Sequence, residues 1–204
     1  MQILLSLAVM VSFYMGGNHT YIAIDTKISQ GVQSSRVVEM DKIVMFITVT
    51  TYALCLLIPV LLYLYGKFRQ QKVFKFMAFQ VILALALNAL LVGVVKYSIN
   101  RPRPYTAVAS VEQLASAGSP SFPSGHTACA FVVAATLCFM FKDRRLRFLV
   151  CLWAVSVAYS RLALGVHYPS DVLGSVIIGT LCAFAGQAAF TYRWNRNSLL
   201  KPFS

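Results

Sequence analysis

The chain has 204 residues, 58% of them apolar and only 12% charged, with a mean hydropathy of +0.70. Soluble domains run about 45–50% apolar and about 25% charged, so this chain lacks the polar surface to enclose a water-soluble core; disorder, a collagen-like repeat, a coiled coil and a disulfide-stapled secreted module are excluded with it. Its net charge of +12 comes with no basic run interleaved with aromatics, which marks the loops of a membrane protein and not a nucleic-acid surface.

A helix needs about 20 largely apolar residues to cross the hydrocarbon core. Residues 1–17 read as a short first span; they resemble the apolar region of a signal peptide but have no basic residue before them. Residues 18–41 are polar, with Ile24, Ile28 and Val32 spaced i, i+4, i+8. That spacing suits an amphipathic helix lying in the outer interface, and a plain loop competes equally. Asn18-His19-Thr20 matches a glycosylation sequon but sits too near the membrane to be credited.

Further spans are expected at 43–65, 74–96, 124–141, 148–166 and 171–192. The fourth of the six reaches spanning length only if it starts near Ser124. The fifth carries Arg161, which at that depth costs about 2.5–3.5 kcal/mol on insertion scales and is a functional-site candidate by default. The expected fold is therefore all-α, an integral membrane bundle of six transmembrane helices forming one domain over 1–204. Loop charges orient it. Lys67, Arg69, Lys72, Lys75, Lys142, Arg144, Arg145, Arg147, Arg193, Arg196 and Lys201 fall on the side of both termini, which outnumbers the other side and places the termini in the cytoplasm. Five cysteines (Cys55, Cys129, Cys138, Cys151, Cys182) all lie in apolar stretches and read as small buried hydrophobes, neither disulfide framework nor metal site.

Three polar clusters fall at helix ends on the extracytoplasmic side. Lys96 to Pro104 closes the third helix, Phe122 to Thr127 opens the fourth, and Ser160-Arg161, His167 and Asp171 straddle the fifth and sixth. Lys96, Arg103 and Arg161 are cations without an equal number of acidic partners, a set that an anion stabilises, and Arg geometry suits phosphate oxygens. Ser124-Gly125-His126 looks like a helix start at which Ser caps, Gly allows close backbone approach and free N–H groups bind anions. His167 and Asp171 are four apart, with Pro169 suited to the first helical turn. A carboxylate there can hold one imidazole nitrogen and leave the other free to attack, while His126 can protonate a departing oxygen. Two lone histidines and one aspartate on separate helices make a poor magnesium cage, so no metal or other cofactor is expected.

Each cluster has a bland reading. A basic residue at a helix end commonly snorkels to the interface, and for Arg101 that reading is as good as any other. Pro-Ser-Gly-His suits any helix cap, and a His–Asp pair at i, i+4 is often structural. The convergence of all three at successive helix ends on one face favours a site.

In order and spacing the clusters resemble the three-part signature of the type-2 phosphatidic acid phosphatase family: Lys, six residues, Arg-Pro; then Pro-Ser-Gly-His; then Ser-Arg, five residues, His, three residues, Asp. Every fixed position is filled, by Lys96, Arg103 and Pro104; Pro123, Ser124, Gly125 and His126; Ser160, Arg161, His167 and Asp171. The resemblance runs from about residue 20 to 192, with a first helix short for the family. It implies a six-helix membrane bundle and metal-independent phosphate-ester hydrolysis through a phosphohistidine on His167. His126 would be the proton donor, with Lys96, Arg103, Arg161 and the Ser124–Gly125 backbone binding phosphate. Small bacterial members act on undecaprenyl pyrophosphate, phosphatidylglycerol phosphate or phosphatidic acid, which makes a lipid phosphate in the bilayer the expected partner, with no nucleic acid and no obligate protein partner. The first two lipids are preferred, although no side chain decides among them; Tyr105–Phe122, rich in small residues, has the character of a lid or tail-selecting element. Two other readings stand beside this one. A non-catalytic lipid-phosphate binder or carrier would need the cations but not both histidines. A vanadate-dependent haloperoxidase shares the clusters but is a larger soluble protein.

Overall fold

A computed structural model of the chain describes residues 19–199, with side chains over 22–192; the expected first span, 1–17, lies outside the described residues. Every regular element among them is helical: α1 (His19–Ser34), a 3-10 turn (Val38–Met40), α2 (Asp41–Phe68), α3 (Lys72–Ile99), the short α4 (Pro104–Ala107), α5 (Gly125–Met140), α6 (Arg144–Ala163) and α7 (Pro169–Leu199). Four of these, α2, α3, α6 and α7, are long and apolar enough to cross a membrane, and α5 is a shorter apolar helix. Their flanks are apolar where they are exposed, through Phe46, Leu56, Phe79, Leu90, Phe148 and Leu173. Large apolar side chains facing outward on several helices belong in lipid, and the protein is integral to the membrane.

The shortest of these helices is the central one. α5 touches α2, α3, α6 and α7, and Ala128, Ala130, Val132, Val133 and Ala134 on it are all buried. Small residues permit this close approach in lipid, where packing and not exclusion from water holds helices together. A Cβ placed on Gly179 of α7 would collide with the Ala128 carbonyl oxygen, so glycine there sets how near α7 comes to α5.

Helix ends depart from the sequence expectation for identifiable reasons. α3 runs past Lys96 to Ile99 because Lys96 is buried inside the bundle; the stop comes from Asn100, which takes the left-handed conformation at φ 49°. α6 starts at Arg144, four residues before the apolar run, because the Asp143 carboxylate accepts a hydrogen bond from the Leu146 N–H at 2.8 Å. It ends at Ala163, before the expected 166, and Gly165 follows at φ 69°. There a Cβ would collide with the Glu112 carbonyl oxygen, so only glycine fits this turn.

Within the segment 18–41, open between helix and loop, His19–Ser34 form α1 and Val38–Met40 the 3-10 turn, and α1 packs on α6 and α7. Its polarity is the reverse of a water-facing amphipathic helix. Ile24 and Ile28 are exposed, whereas Asp25 and Ser29 are buried against the bundle.

Candidate active site

The turns described above deliver the three clusters to one place. Asn100 ends α3 and, with Pro102 and Pro104, sends the chain back across the helix ends, placing Arg103 at the cap of α4. A cis Phe122–Pro123 bond leads into Ser124, which caps α5 through its side chain as the sequence suggested, accepting from the Thr127 N–H. Pro169 begins α7, and the turn from Leu164 to Tyr168 suspends His167 between α6 and α7.

A cavity of about 200 Å³ is lined by Lys96, Arg103, Gly125, His126, Arg161 and His167, together with Tyr52 and the strap residues Ser116 to Ser119. Lys96, Arg103 and Arg161 are all at least nine-tenths buried, and among the described residues none of them pairs with a carboxylate. Their partners are neutral, carbonyl and hydroxyl oxygens together with the His167 ring nitrogen beside Arg103. Lys96 Nζ donates to the Pro120 carbonyl at 2.6 Å. Arg103 donates to the Ser119 and Val166 carbonyls, each at 2.7 Å, and Arg161 Nη1 to Thr48 Oγ1 at 2.5 Å. Arg161 Nε is buried without a partner. Three buried cations held only by dipoles are costly unless an anion completes them.

His167 Nε2 lies 3.4 Å from Arg103 Nη1 on the cavity side. Nδ1 faces away from it, 3.4 Å from Asp171 Oδ2. That is ion-pair distance without hydrogen-bond geometry, and Nδ1 has no other partner. Burial holds the His167 imidazole down at about 4, with Arg103 and Arg161 pushing the same way and Asp171 opposing them. The ring is therefore neutral at ordinary pH, as a nitrogen nucleophile must be.

Asp171 does not line the cavity. It is fully buried behind His167, where Oδ2 accepts from Ser121 Oγ at 2.5 Å and the Tyr168 N–H at 2.9 Å. Ser124 is also placed behind the cavity, and its N–H, expected to face phosphate, donates to Ser175 Oγ at 2.6 Å. Gly125, one residue on, does line the cavity.

Arg101 overturns the snorkelling reading. It is 8% exposed and reaches inward, with Nη1 2.5 Å from Asp171 Oδ1 and Nη2 2.7 Å from Asp25 Oδ2. Its guanidinium carbon sits 3.8 Å above the centroid of the Tyr168 ring. Two further residues escaped sequence reasoning. Asp25 is the buried acid on α1, and the only available signal was its i, i+4 spacing with Ser29. Tyr52 on α2 approaches His126, with ring centroids 4.4 Å apart and its hydroxyl 3.5 Å from Nδ1; a tyrosine inside an apolar span carries no such signal.

Undecaprenyl-diphosphatase BcrC of Bacillus subtilis (strain 168) is 30% identical over 167 residues, covering 80% of this chain and 78% of that protein. Phosphatidylglycerophosphatase B of the same organism is 37% identical over 112 residues, 50% of this chain and 53% of the relative. The fold is shared with the crystal structure of a transmembrane PAP2-type phosphatidylglycerolphosphate phosphatase from Bacillus subtilis, at a TM-score of 0.71 and 24% identity over 97% of this chain and 98% of that one. The family model of the PAP2 superfamily matches residues 77–198, and the chain belongs to that superfamily.

Proposed function

We propose that the protein hydrolyses the terminal phosphate of a membrane lipid through a phosphohistidine on His167, without a metal ion. The observation that carries this reading is the convergence of three carboxylate-free cations and two histidines on one cavity, with a carboxylate behind one of the histidines. Lys96, Arg103 and Arg161 bind the phosphoryl oxygens and stabilise the charge that grows on them in the transition state. His167 Nε2 attacks phosphorus, and the ester or anhydride oxygen leaves with a proton from His126. Water then cleaves the N–P bond, His126 taking its proton, to give inorganic phosphate and free His167. Asp171 holds the Nδ1 side of the ring and offsets the positive charge of the phosphorylated imidazole.

The donor set argues against a resident cation. Cations surround the cavity, and the carboxylate nearest to it is already engaged by Arg101, Ser121 and the Tyr168 N–H. The preferred substrate is undecaprenyl pyrophosphate, the substrate class named for BcrC, with phosphatidylglycerol phosphate second and phosphatidic acid third. The chain forms a six-helix bundle with both termini in the cytoplasm and the cavity at the extracytoplasmic face, where the lipid arrives by lateral diffusion with its tail still in the bilayer. The loop-charge asymmetry supports that orientation.

Phosphate release by detergent-purified protein in excess chelator, on the three lipids in parallel and with His167→Ala alongside, tests the proposal. Chelator-resistant turnover that disappears in His167→Ala is expected, fastest on the diphosphate. An unchanged rate in the variant refutes the mechanism. A folded protein that binds phosphate but turns over none of the lipids is a binder.

A further inference from the structure

Arg101 lies among the cationic residues at the helix ends, yet its environment is unlike that of the other three. Lys96, Arg103 and Arg161 line the cavity, where they meet carbonyl and hydroxyl oxygens. Arg101 does not line it and is clamped between two buried carboxylates. Its Nη1 donates to Asp171 Oδ1 and, at 2.8 Å, to Ser170 Oγ. The Ser170 hydroxyl in turn donates to Asp25 Oδ2, and the Ser170 N–H donates to Asp25 Oδ1 at 3.0 Å. Asp25 on α1 thus holds the first turn of α7 and the far side of Arg101 together. Its side chain is only 5% exposed.

Charge shows what this arrangement does for His167. An Arg101–Asp171 pair alone is neutral, and a neutral pair behind the imidazole does little for the positive ring formed when Nε2 takes a phosphoryl group. Adding Asp25 leaves one net negative charge on the trio, with Asp171 Oδ2 as its face toward Nδ1. The fixed fork of guanidinium donors also sets the orientation of Asp171, and the Tyr168 ring beneath Arg101 holds the fork in place. From this we infer that Asp25, acting through Arg101 and Ser170, is a positioning residue for the Asp171–His167 pair: it keeps the Arg101–Asp171 ion pair anionic and aimed, and so tunes the chemical step without touching substrate. The inference rests on the histidine mechanism proposed above.

The test compares Asp25→Asn, Asp25→Glu, Ser170→Ala and, as a control, Gln33→Ala with the wild-type protein in one detergent. Gln33 ties α1 to the Ala163 carbonyl at 2.9 Å without entering the ion chain, so it reports what loosening α1 does by itself. Four quantities are read: kcat, KM, the inhibition constant of inorganic sulfate, a tetrahedral anion that takes no bond from the nucleophile, and the thermal midpoint. Asp25→Asn is expected to lower kcat 10- to 100-fold while KM and the sulfate constant stay within threefold. Asp25→Glu should recover part of that loss, Ser170→Ala should lose several-fold in kcat alone, and Gln33→Ala should stay within twofold throughout. The inference is overturned if Asp25→Asn keeps kcat within twofold. It is equally overturned if Gln33→Ala loses as much, or if the sulfate constant rises with the fall in kcat, since Arg101 would then serve anion binding. Should Asp25→Asn not fold, Ser170→Ala decides, and an unchanged kcat there overturns the inference. A wild-type protein without turnover on any lipid would instead strike at the proposed function.

Discussion

Asp171→Asn keeps the size of a buried side chain and removes its charge, which makes it the sharpest probe of the His167 mechanism. Asp171 Oδ2 lies 3.4 Å from His167 Nδ1. Once Nε2 carries a phosphoryl group and Nδ1 keeps its proton, the ring is positive, and a unit pair 3.4 Å apart in an effective dielectric of about 20 interacts by about 5 kcal/mol. Asparagine retains part of this as a dipole, so a loss of about 3–4 kcal/mol is expected, roughly a 10²–10³-fold fall in turnover. If the amide presents its NH₂ to Nδ1, it also favours the tautomer protonated on Nε2, which cannot attack, and the fall becomes larger. Binding should change little, because Lys96, Arg103 and Arg161 make no contact with Asp171 among the described hydrogen bonds and ion pairs. The assay is steady-state phosphate release from a lipid phosphate in detergent, with sulfate inhibition reading the cation cluster and a thermal melt confirming the fold. A variant that folds and turns over within tenfold of wild type would refute the electrostatic role given to Asp171.

Two further outcomes follow from the same geometry. Tyr52 reaches His126 Nδ1 at 3.5 Å, so Tyr52→Phe should slow a lipid phosphomonoester about 2- to 12-fold, the worth of one net hydrogen bond. A lipid diphosphate should slow less than twofold, because its phosphate leaving group needs less protonation than an alkoxide, and equal losses on both would deny His126 the acid role. The low value of about 4 for His167 also makes stability depend on pH. The unfolded ring, near 6.5, binds more protons than the folded one between those values, so folding stability is lost as pH falls from about 6.5 toward 4, by up to about 1.4 kcal/mol per pH unit. Thermal midpoints of wild type and His167→Gln in one detergent should converge over that range as wild type falls more steeply; parallel curves would show that the ring is not held neutral by burial.

The apolar helices and most of the residues that line the cavity were legible in the sequence because both are written locally. Twenty apolar residues announce a span wherever they occur, and the residues around Lys96, His126 and His167 keep fixed spacings at helix ends. What stayed hidden depends on residues brought together over long separations. Asp25 meets Arg101 from 76 positions away and Ser170 from 145, a pairing that no periodicity encodes. The Ile24 and Ile28 stripe on α1 was visible, but its direction was not, since in lipid an apolar face turns outward and the polar face can be the buried one. Lys96 shows the same limit from the other side. A lysine after twenty apolar residues reads as a helix end at the interface, whereas here its ammonium turns inward to the Pro120 carbonyl and the helix continues past it.

The contrast between Arg101 and the other three cations carries the argument from fold to chemistry. Burying a cation is tolerable when a carboxylate is buried with it, and Arg101 has two. Lys96, Arg103 and Arg161 are buried to a similar degree with none, in a protein with only six acidic residues against 18 basic ones. Lys96 makes one hydrogen bond with a group that has three donors, and Arg161 leaves Nε unpaired. Unused donors and uncompensated charge in one small cavity suit a compact, multiply charged anion with several acceptor oxygens. A phosphate group meets that description, and His167, whose Nε2 lies on the cavity side 3.4 Å from Arg103 Nη1, is the nucleophile of the proposed mechanism. In the proposed mechanism the carboxylates lie where they can influence the imidazole without cancelling the cations assigned to phosphate. Had Asp25 or Asp171 lined the cavity, it would have competed with an anionic substrate; both are instead set behind His167 and Arg101.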